Sequence, residues 1–249
     1  MRAVILAAGR GRRLGVLSYG KPKCLLEIGG KTILERQLTA LQVVGVERFT
    51  IVTGFNASMV ASQARWIVDG RAEFVYNSRF AATDTAYSLH LALQNGAEAI
   101  YYLSGDVIVN PEMLTRLART GAASAILADR NEFCNQDAKI LLSNSRIIRL
   151  NHRLPIDMAD GRFIGAARFS RRSAKSLQTI LDAIIDSQGS RFPKAEDAID
   201  RILDRHFIEA IDISDLPYAQ IKTEQDLIRA RTTLAPQLRH SDRTYSLVA

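Results

Sequence analysis

The sequence lacks several features, and each absence excludes a class. It has no apolar run of about 18 residues, so nothing in it reads as a transmembrane helix or as a segment inserted in a membrane. Its first apolar stretch runs only from Ala3 to Ala8 before glycines and arginines follow, too short for the apolar region of a secretory signal. Cysteine is confined to Cys24 and Cys134, which excludes a disulfide framework and suits a reducing cytoplasmic setting. The histidines, His90, His152, His206 and His240, have no metal-ligand spacing, so a zinc site is not expected. Repeats and low-complexity linkers are missing as well. The expectation is one domain over residues 1–235 and a loose, aperiodic tail over 236–249.

What remains is an ordinary globular composition of 249 residues, 47% hydrophobic and 24% charged. The net charge of +7 suits either a nucleic acid or small anionic substrates. Its distribution favours the second. Arg10, Arg12, Arg13, Lys21 and Lys23 crowd a glycine-punctuated loop rather than a helix face, and no nucleic-acid motif accompanies them. Through the first half, short apolar runs alternate with helical periodicity: strands at Ala3–Ala8, Phe49–Thr53, Glu73–Tyr76, Ala99–Leu103 and Ala123–Leu127, helices after Thr32, around Ala57–Val68, at Ala86–Gln94 and from Pro111. That is the pattern of βαβ units. The second half differs. Ala138–Ser143 and Arg146–Leu150 flank Asn144-Ser145 as a hairpin. A strand at Arg162–Phe169, helices at Ser173–Ser187 and Glu196–Arg205, a strand at Phe207–Ile213 and a last helix after Thr223 follow. The fold class read from this is α/β: a Rossmann-like, mostly parallel sheet with helices on both faces and an added β-hairpin in a mixed second half.

Ligands of an open parallel sheet bind beyond the carboxyl ends of its strands. The first strand runs into Leu6-Ala7-Ala8-Gly9-Arg10-Gly11-Arg12-Arg13-Leu14-Gly15. Small residues there let the backbone approach a phosphate chain and point free N–H groups at it. Leu14 stands where a dinucleotide fingerprint needs its third glycine, and no Gly-Lys-Ser/Thr precedes a helix, so neither a dehydrogenase nor a Walker A ATPase is indicated. Pro22-Lys23-Cys24-Leu25 follows, then Gly29-Gly30 and a helix. Further on, Ser104-Gly105-Asp106 ends an apolar strand.

The segment Leu6–Leu34 resembles the signature of the nucleotidyltransferases that activate sugar phosphates and alcohol phosphates, whose fold is of the nucleotide-diphospho-sugar transferase type. The resemblance implies that Leu6, Ala7, Ala8, Gly9, Gly11 and Arg13 surround a nucleoside triphosphate, that Arg13 and Lys23 act in catalysis, and that Asp106 holds Mg²⁺. Asn77-Ser78-Arg79-Phe80, with Thr83, Tyr87, Ser88 and Leu89, is similar to the branch of CTP:phosphocholine and phosphonate cytidylyltransferases, implying nucleotide contacts from Thr83 and Ser88. Asp84 and Thr85 replace that branch's two asparagines. Lys139 in the hairpin and Glu196-Asp197-Ala198 resemble its acceptor-site segments. Tyr218-Ala219-Gln220-Ile221-Lys222-Thr223 stands where the family carries an aromatic residue and then Glu-Ile-Asp-Thr, so Lys222 occupies the place of a second metal ligand.

The partners implied are a nucleoside triphosphate, with Mg²⁺, and a small phosphorylated acceptor. Glu196, Asp197 and Tyr218 are expected to form an acidic and aromatic pocket for an ammonium head group. Lys222 is expected to touch a phosphate oxygen, with Asp84 a substitute carboxylate if its loop folds toward the site. The reaction implied is transfer of CMP from CTP to a phosphorylated alcohol or phosphonate, with release of pyrophosphate. A sugar 1-phosphate acceptor with another nucleotide, or a silent nucleotide-binding module, remain the alternatives.

Overall fold

The computed structural model describes residues 1–239 apart from 19, 95, 97 and 188–192. Its strands are β1 (Arg2–Ala7), β2 (Glu27–Ile28), β3 (Lys31–Thr32), β4 (Arg48–Thr53), β5 (Ala72–Tyr76), β6 (Ile100–Ser104), β7 (Val107–Ile108), β8 (Ala125–Asp129), β9 (Lys139–Ser143), β10 (Arg146–Asn151), β11 (Gly161–Phe169), β12 (Glu209–Asp212) and β13 (Ala219–Gln220). The helices are α1 (Ile33–Val43), α2 (Ala57–Val68), α3 (Thr85–Leu93), α4 (Pro111–Arg119), α5 (Arg171–Asp186), α6 (Ala195–Ile202) and α7 (Glu224–Arg229).

Local chemistry sets the starts of these helices. The Thr32 side chain accepts from the Glu35 N–H, as the capping pattern predicts, and Asn110 caps α4 with Pro111 at its first position. Thr223 and Asp226 close a reciprocal capping box on α7. Asn144 takes φ +55° at the hairpin turn between β9 and β10, a conformation Asn tolerates better than most residues.

Nine strands form one sheet in the order β5-β4-β1-β6-β11-β8-β12-β10-β9. β5, β4, β1 and β6 run parallel, β11 runs antiparallel to both β6 and β8, and β12 is parallel to β8. The sheet is buried on both faces. Val4, Leu6 and Tyr102 pack under α3, α5 and α6, whereas Ala3, Ile5 and Leu103 pack under α1, α2 and α4. A smaller core joins Leu14, Ile28 and Ile33 to Leu227 and Leu238 near the C-terminal end. Among the described residues no helix is long and apolar enough to cross a membrane.

The mixed second half belongs to the main sheet, with β11 and β12 threaded in beside β8. One expectation changes: the aperiodic tail read from 236 does not hold over 236–239. The chain stays helical over 235–239, and Leu238 is fully buried, an anchor that a short segment with no repeating pattern conceals. Residues 240–249 of that expectation lie outside the described residues.

Candidate nucleotide site

From β1 the chain winds outward through β4 to β5, then returns to place β6 on the other side of β1. The order therefore reverses between β1 and β6, and a crevice opens at their carboxyl ends. Ala8-Gly9 leaves one side of it and Ser104-Gly105-Asp106 the other. The two turns touch: Gly105 N–H donates to the Leu6 carbonyl at 3.1 Å, and a Cβ on Gly105 would stand 2.3 Å from that oxygen. Only glycine fits there, and Asp106 is thereby brought over the end of β1. Gln37, fully buried on α1, fixes the turn from beneath. Its Nε2 donates to the carbonyls of Ser104 and Val107, each at 2.8 Å.

Lys23 comes to the same place from the glycine loop. Pro22 starts a short 3-10 turn whose Cys24 and Leu25 are buried, and the Lys23 stem is left facing the crevice. Its Nζ donates to Asp106 Oδ2 at 2.7 Å, and Ser104 Oγ donates to Asp106 Oδ1 at 2.8 Å. Burial alone would push the Asp106 carboxyl up. The Lys23 charge and hydrogen bond, the Ser104 hydroxyl and the more distant charge of Lys222 outweigh it and hold the group below its ordinary value. Gly11, at φ +72°, lets Leu14 fold inward, since a Cβ there would meet Leu14 Cδ1 at 2.9 Å. Burial pushes the Cys24 thiol up to about 12, so it is inert packing at neutral pH.

These residues line a cavity of about 220 Å³. Leu6, Ala7, Ala8, Gly9 and Arg13, from β1 and the loop after it, line it together with Lys23, Asp106, Thr83 and Ser88. Gly11 shapes the loop without lining the cavity. The sequence reading omitted several wall residues. Asn77, buried at the end of β5, donates to the hydroxyls of Thr83 and Ser88, both at 3.1 Å, and so ties the β5 loop to α3. Asp84 and Thr85 line the wall too, so the Asp84 loop does fold toward the site. The signal for Asn77 was the Asn-x-x-Phe element already in view; Gln37 carried none, being one polar residue on a helix. A second cavity of about 470 Å³, walled by Arg10, Arg12 and Phe55, shares Phe80 and Thr83 with the first.

The residues expected to bind the acceptor are not assembled as one pocket. Tyr218 packs on the α1/α4 side of the sheet, whereas α6, which carries Glu196 and Asp197, packs on the other. Tyr218 donates to Asp129 Oδ2 and accepts from Arg162 Nη2 at 2.7 Å, beside a separate cavity of about 520 Å³. Asp197 accepts from the Lys194 N–H and serves its own helix. Glu196 alone of the three lies in the field of Asp84 and Asp106. Burial pushes its carboxyl up, its own backbone N–H and Lys194 pull it partway back, and those two carboxylates raise it further. Its Oε2 is buried without a partner among the described residues. Lys139 is 1% exposed, and its ammonium donates to the carbonyls of Asn135, Asp137 and His152. All three of its hydrogens are spent, so it staples the hairpin and is closed to an acceptor. Spacing places a lysine on a strand but not the carbonyls that fold over it.

Lys222 stands apart from these. Its Nζ donates to Asp137 Oδ1 at 2.8 Å. Arg162 bridges Asp137 Oδ2 (3.3 Å) and Asp129 Oδ2 (3.2 Å), which makes a buried ladder of two cations and two carboxylates. For Asp137, burial is outweighed by the Lys222 hydrogen bond and charge and by Arg162, so its carboxyl lies below its ordinary value.

A glycine loop and a lysine–aspartate pair at a strand-order reversal make an arrangement that suits phosphate groups. A model of the MobA-like NTP transferase domain matches residues 3–189, and the chain belongs to that family of nucleotidyltransferases. It is 37% identical over 131 residues to CMP-5'-(3-aminopropyl)phosphonate synthase of Streptomyces rubellomurinus, covering 52% of this chain and 21% of that protein. With choline-phosphate cytidylyltransferase of Haemophilus influenzae it shares 30% identity over 152 residues, covering 61% of this chain and 62% of that protein. The chain thus spans less than two thirds of these relatives' length. Among solved structures it resembles the inositol-1-phosphate CTP transferase of T. maritima, with a TM-score of 0.76 at 16% identity over 94% of this chain and 97% of that one. CTP:phosphocholine cytidylyltransferase of Streptococcus pneumoniae superposes with a TM-score of 0.75 at 18% identity over 92% and 97%. These two likenesses show the fold.

Proposed function

We propose that this protein transfers CMP from CTP to a small phosphorylated alcohol or phosphonate and releases pyrophosphate. The observation that carries the reading is the Lys23–Asp106 pair, set at the mouth of the glycine loop over the cavity wall of Asn77, Thr83 and Ser88. An acceptor oxygen would attack the α-phosphorus in line. The new P–O bond forms as the bond to the β-phosphate oxygen breaks, and pyrophosphate departs with that electron pair. Such chemistry asks for positioning and charge neutralisation. Lys23, released from Asp106 onto the phosphates, and Arg13 at the cavity rim supply fixed positive charge.

Among the described residues no group of three or more His, Cys, Asp or Glu could cage a metal. One ionised carboxylate nonetheless suits Mg²⁺, which keeps waters and phosphate oxygens as its other ligands. Asp106 would hold it, with Asp84 in the same cavity. Bound there, Mg²⁺ would neutralise developing phosphate charge. The Glu196 Oε2, buried without a partner among the described residues, supports an acceptor with a cationic end.

The experiment is a pyrophosphate-release screen of the four NTPs, with Mg²⁺, against 3-aminopropylphosphonate, phosphocholine, other phosphorylated alcohols and sugar 1-phosphates. Release with CTP and an ammonium-bearing phosphonate or phosphate is expected. Release only with a sugar 1-phosphate and another nucleotide would replace this reading, and nucleotide binding without release would leave a silent module.

A further inference from the structure

Lys222 lies just beyond β13, and its backbone is anchored at both ends. β13 pairs with β7, with Gln220 opposite Val107, and the Ile221 N–H donates to the Asp106 carbonyl at 2.9 Å. The Lys222 N–H itself donates to Asp226 Oδ2 at 2.8 Å. The residue therefore starts one position away from a backbone hydrogen bond to Asp106. Its side chain is 26% exposed, whereas that of Asp137, its carboxylate partner, is 5% exposed. Asp137 is aimed in turn by Arg162 and by the Cys134 N–H at 3.0 Å. Among the described residues Asp137 is the one acceptor on the Lys222 ammonium, so two of its three hydrogens remain for another ligand.

Asp106 takes Lys23 on its carboxylate and, on its carbonyl, the N–H of Ile221, the residue before Lys222. A phosphate or phosphonate that attacks a triphosphate must bring two anions together, and each anion needs a cation of its own. Lys23 belongs to the glycine loop, on the nucleotide side. Lys222 comes instead on the β13 segment, held by the β7 pairing and by Asp226.

We infer that Lys222 grips the phosphate or phosphonate oxygens of the acceptor and that Asp137 is the positioning residue that aims it. This rests on the reading that the acceptor carries such a group. A fixed ammonium then does for the acceptor what Lys23 does for the donor. If Lys222 served only as a counter-ion to Asp129 and Asp137, its loss would lower stability and leave acceptor binding alone.

Two measurements decide. The first compares wild type, Lys222→Arg, Lys222→Met and Asp137→Asn with CTP and 3-aminopropylphosphonate. Lys222→Met is expected to raise the acceptor KM about tenfold or more, the scale of one lost charge-assisted hydrogen bond, while the KM for CTP stays within about twofold. Lys222→Arg recovers most of that loss, and Asp137→Asn moves the same KM by a smaller factor. The second needs no turnover. Lysines are ¹³C-methylated, the Lys222 resonance is assigned from its absence in Lys222→Arg, and wild type is titrated with inorganic phosphate. A shift of that resonance is expected. An unmoved Lys222 resonance beside a moving Lys23 one, or an unchanged acceptor KM in Lys222→Met with a lowered Tm, overturns the inference. Should wild type turn over no acceptor at all, the cytidylyl reading fails, and the phosphate titration still decides Lys222.

Discussion

The ammonium of Lys23 lies 2.7 Å from Asp106 Oδ2, so the two groups that would serve the phosphates neutralise each other until a nucleotide parts them. Lys23→Ala and Asp106→Ala are each expected to lower pyrophosphate release by about 100-fold or more, the loss seen when one preorganised electrostatic group is removed. Their binding effects should differ in sign. Lys23→Ala leaves Asp106 facing the phosphates and weakens CTP binding, whereas Asp106→Ala frees Lys23 and tightens it in the absence of divalent metal. Isothermal titration of CTP in EDTA reads the difference, and equal affinities in the two variants would contradict the pairing.

Gln37 holds the Asp106 turn without touching the cavity. Gln37→Leu strands the carbonyls of Ser104 and Val107 in the core, at a cost of about 1–3 kcal/mol for an unsatisfied buried group. Urea unfolding should show that loss, and kcat should fall while the KM for CTP changes little. Wild-type stability in the variant would mean that the turn is held by Gly105 alone.

Arg162 touches Asp129, Asp137 and the Tyr218 hydroxyl. Arg162→Met should cost about 3–5 kcal/mol, because it takes the cation from buried Asp129 and leaves Asp137 with Lys222 alone. Tyr218→Phe removes the hydrogen bonds to Asp129 and from Arg162 but leaves that ion pair in place, and should cost about 1–2 kcal/mol. Thermal unfolding of both variants checks the order, and a Tyr218→Phe loss as large as that of Arg162→Met would show that the ladder is built around the phenol instead.

His206 is 8% exposed, with Nδ1 3.2 Å from Ser173 Oγ and Nε2 2.8 Å from Ser176 Oγ. Burial, then Arg172 and Arg205, hold it below its ordinary value, and burial with Lys194 does the same for His152. The unfolded chain therefore takes up these protons first. Their contribution is complete above the unfolded value, about 6.5, and is lost as pH falls below it. Stability should drop between pH 7.5 and 5.5, above the range in which the carboxylates titrate. His206→Gln should flatten part of that drop in urea midpoints measured at both pH values, and an unchanged slope would remove His206 from the effect.

Most of the residues called from the glycine loop line one cavity, and they were legible because they are local. Leu6–Gly9, Arg13 and Lys23 share one strand-loop unit, and Asp106 ends an apolar strand as a ligand-bearing residue should. The residues expected to bind the acceptor come from distant segments and are not brought together. Residue identity alone does not tell whether Lys139 meets three carbonyls or a substrate, or that Tyr218 and Glu196 fall on opposite faces of the sheet. Helix starts at Thr32, Pro111 and Thr223 were legible through capping chemistry. The insertion of β11 between β6 and β8 was not, since periodicity finds strands and says nothing of their neighbours.

β12 lies between β8 and β10, although both of those strands precede it in the chain by more than 50 residues. During synthesis the ribosome delivers the two flanking strands first, and their facing edges stay unpaired until Glu209–Asp212 emerges. Unpaired edges of this kind are the surfaces on which nascent chains associate wrongly. Completion of this sheet therefore waits on its C-terminal half: the hairpin is already held to β11 through β9, and its β10 edge is paired only when that last insertion is made.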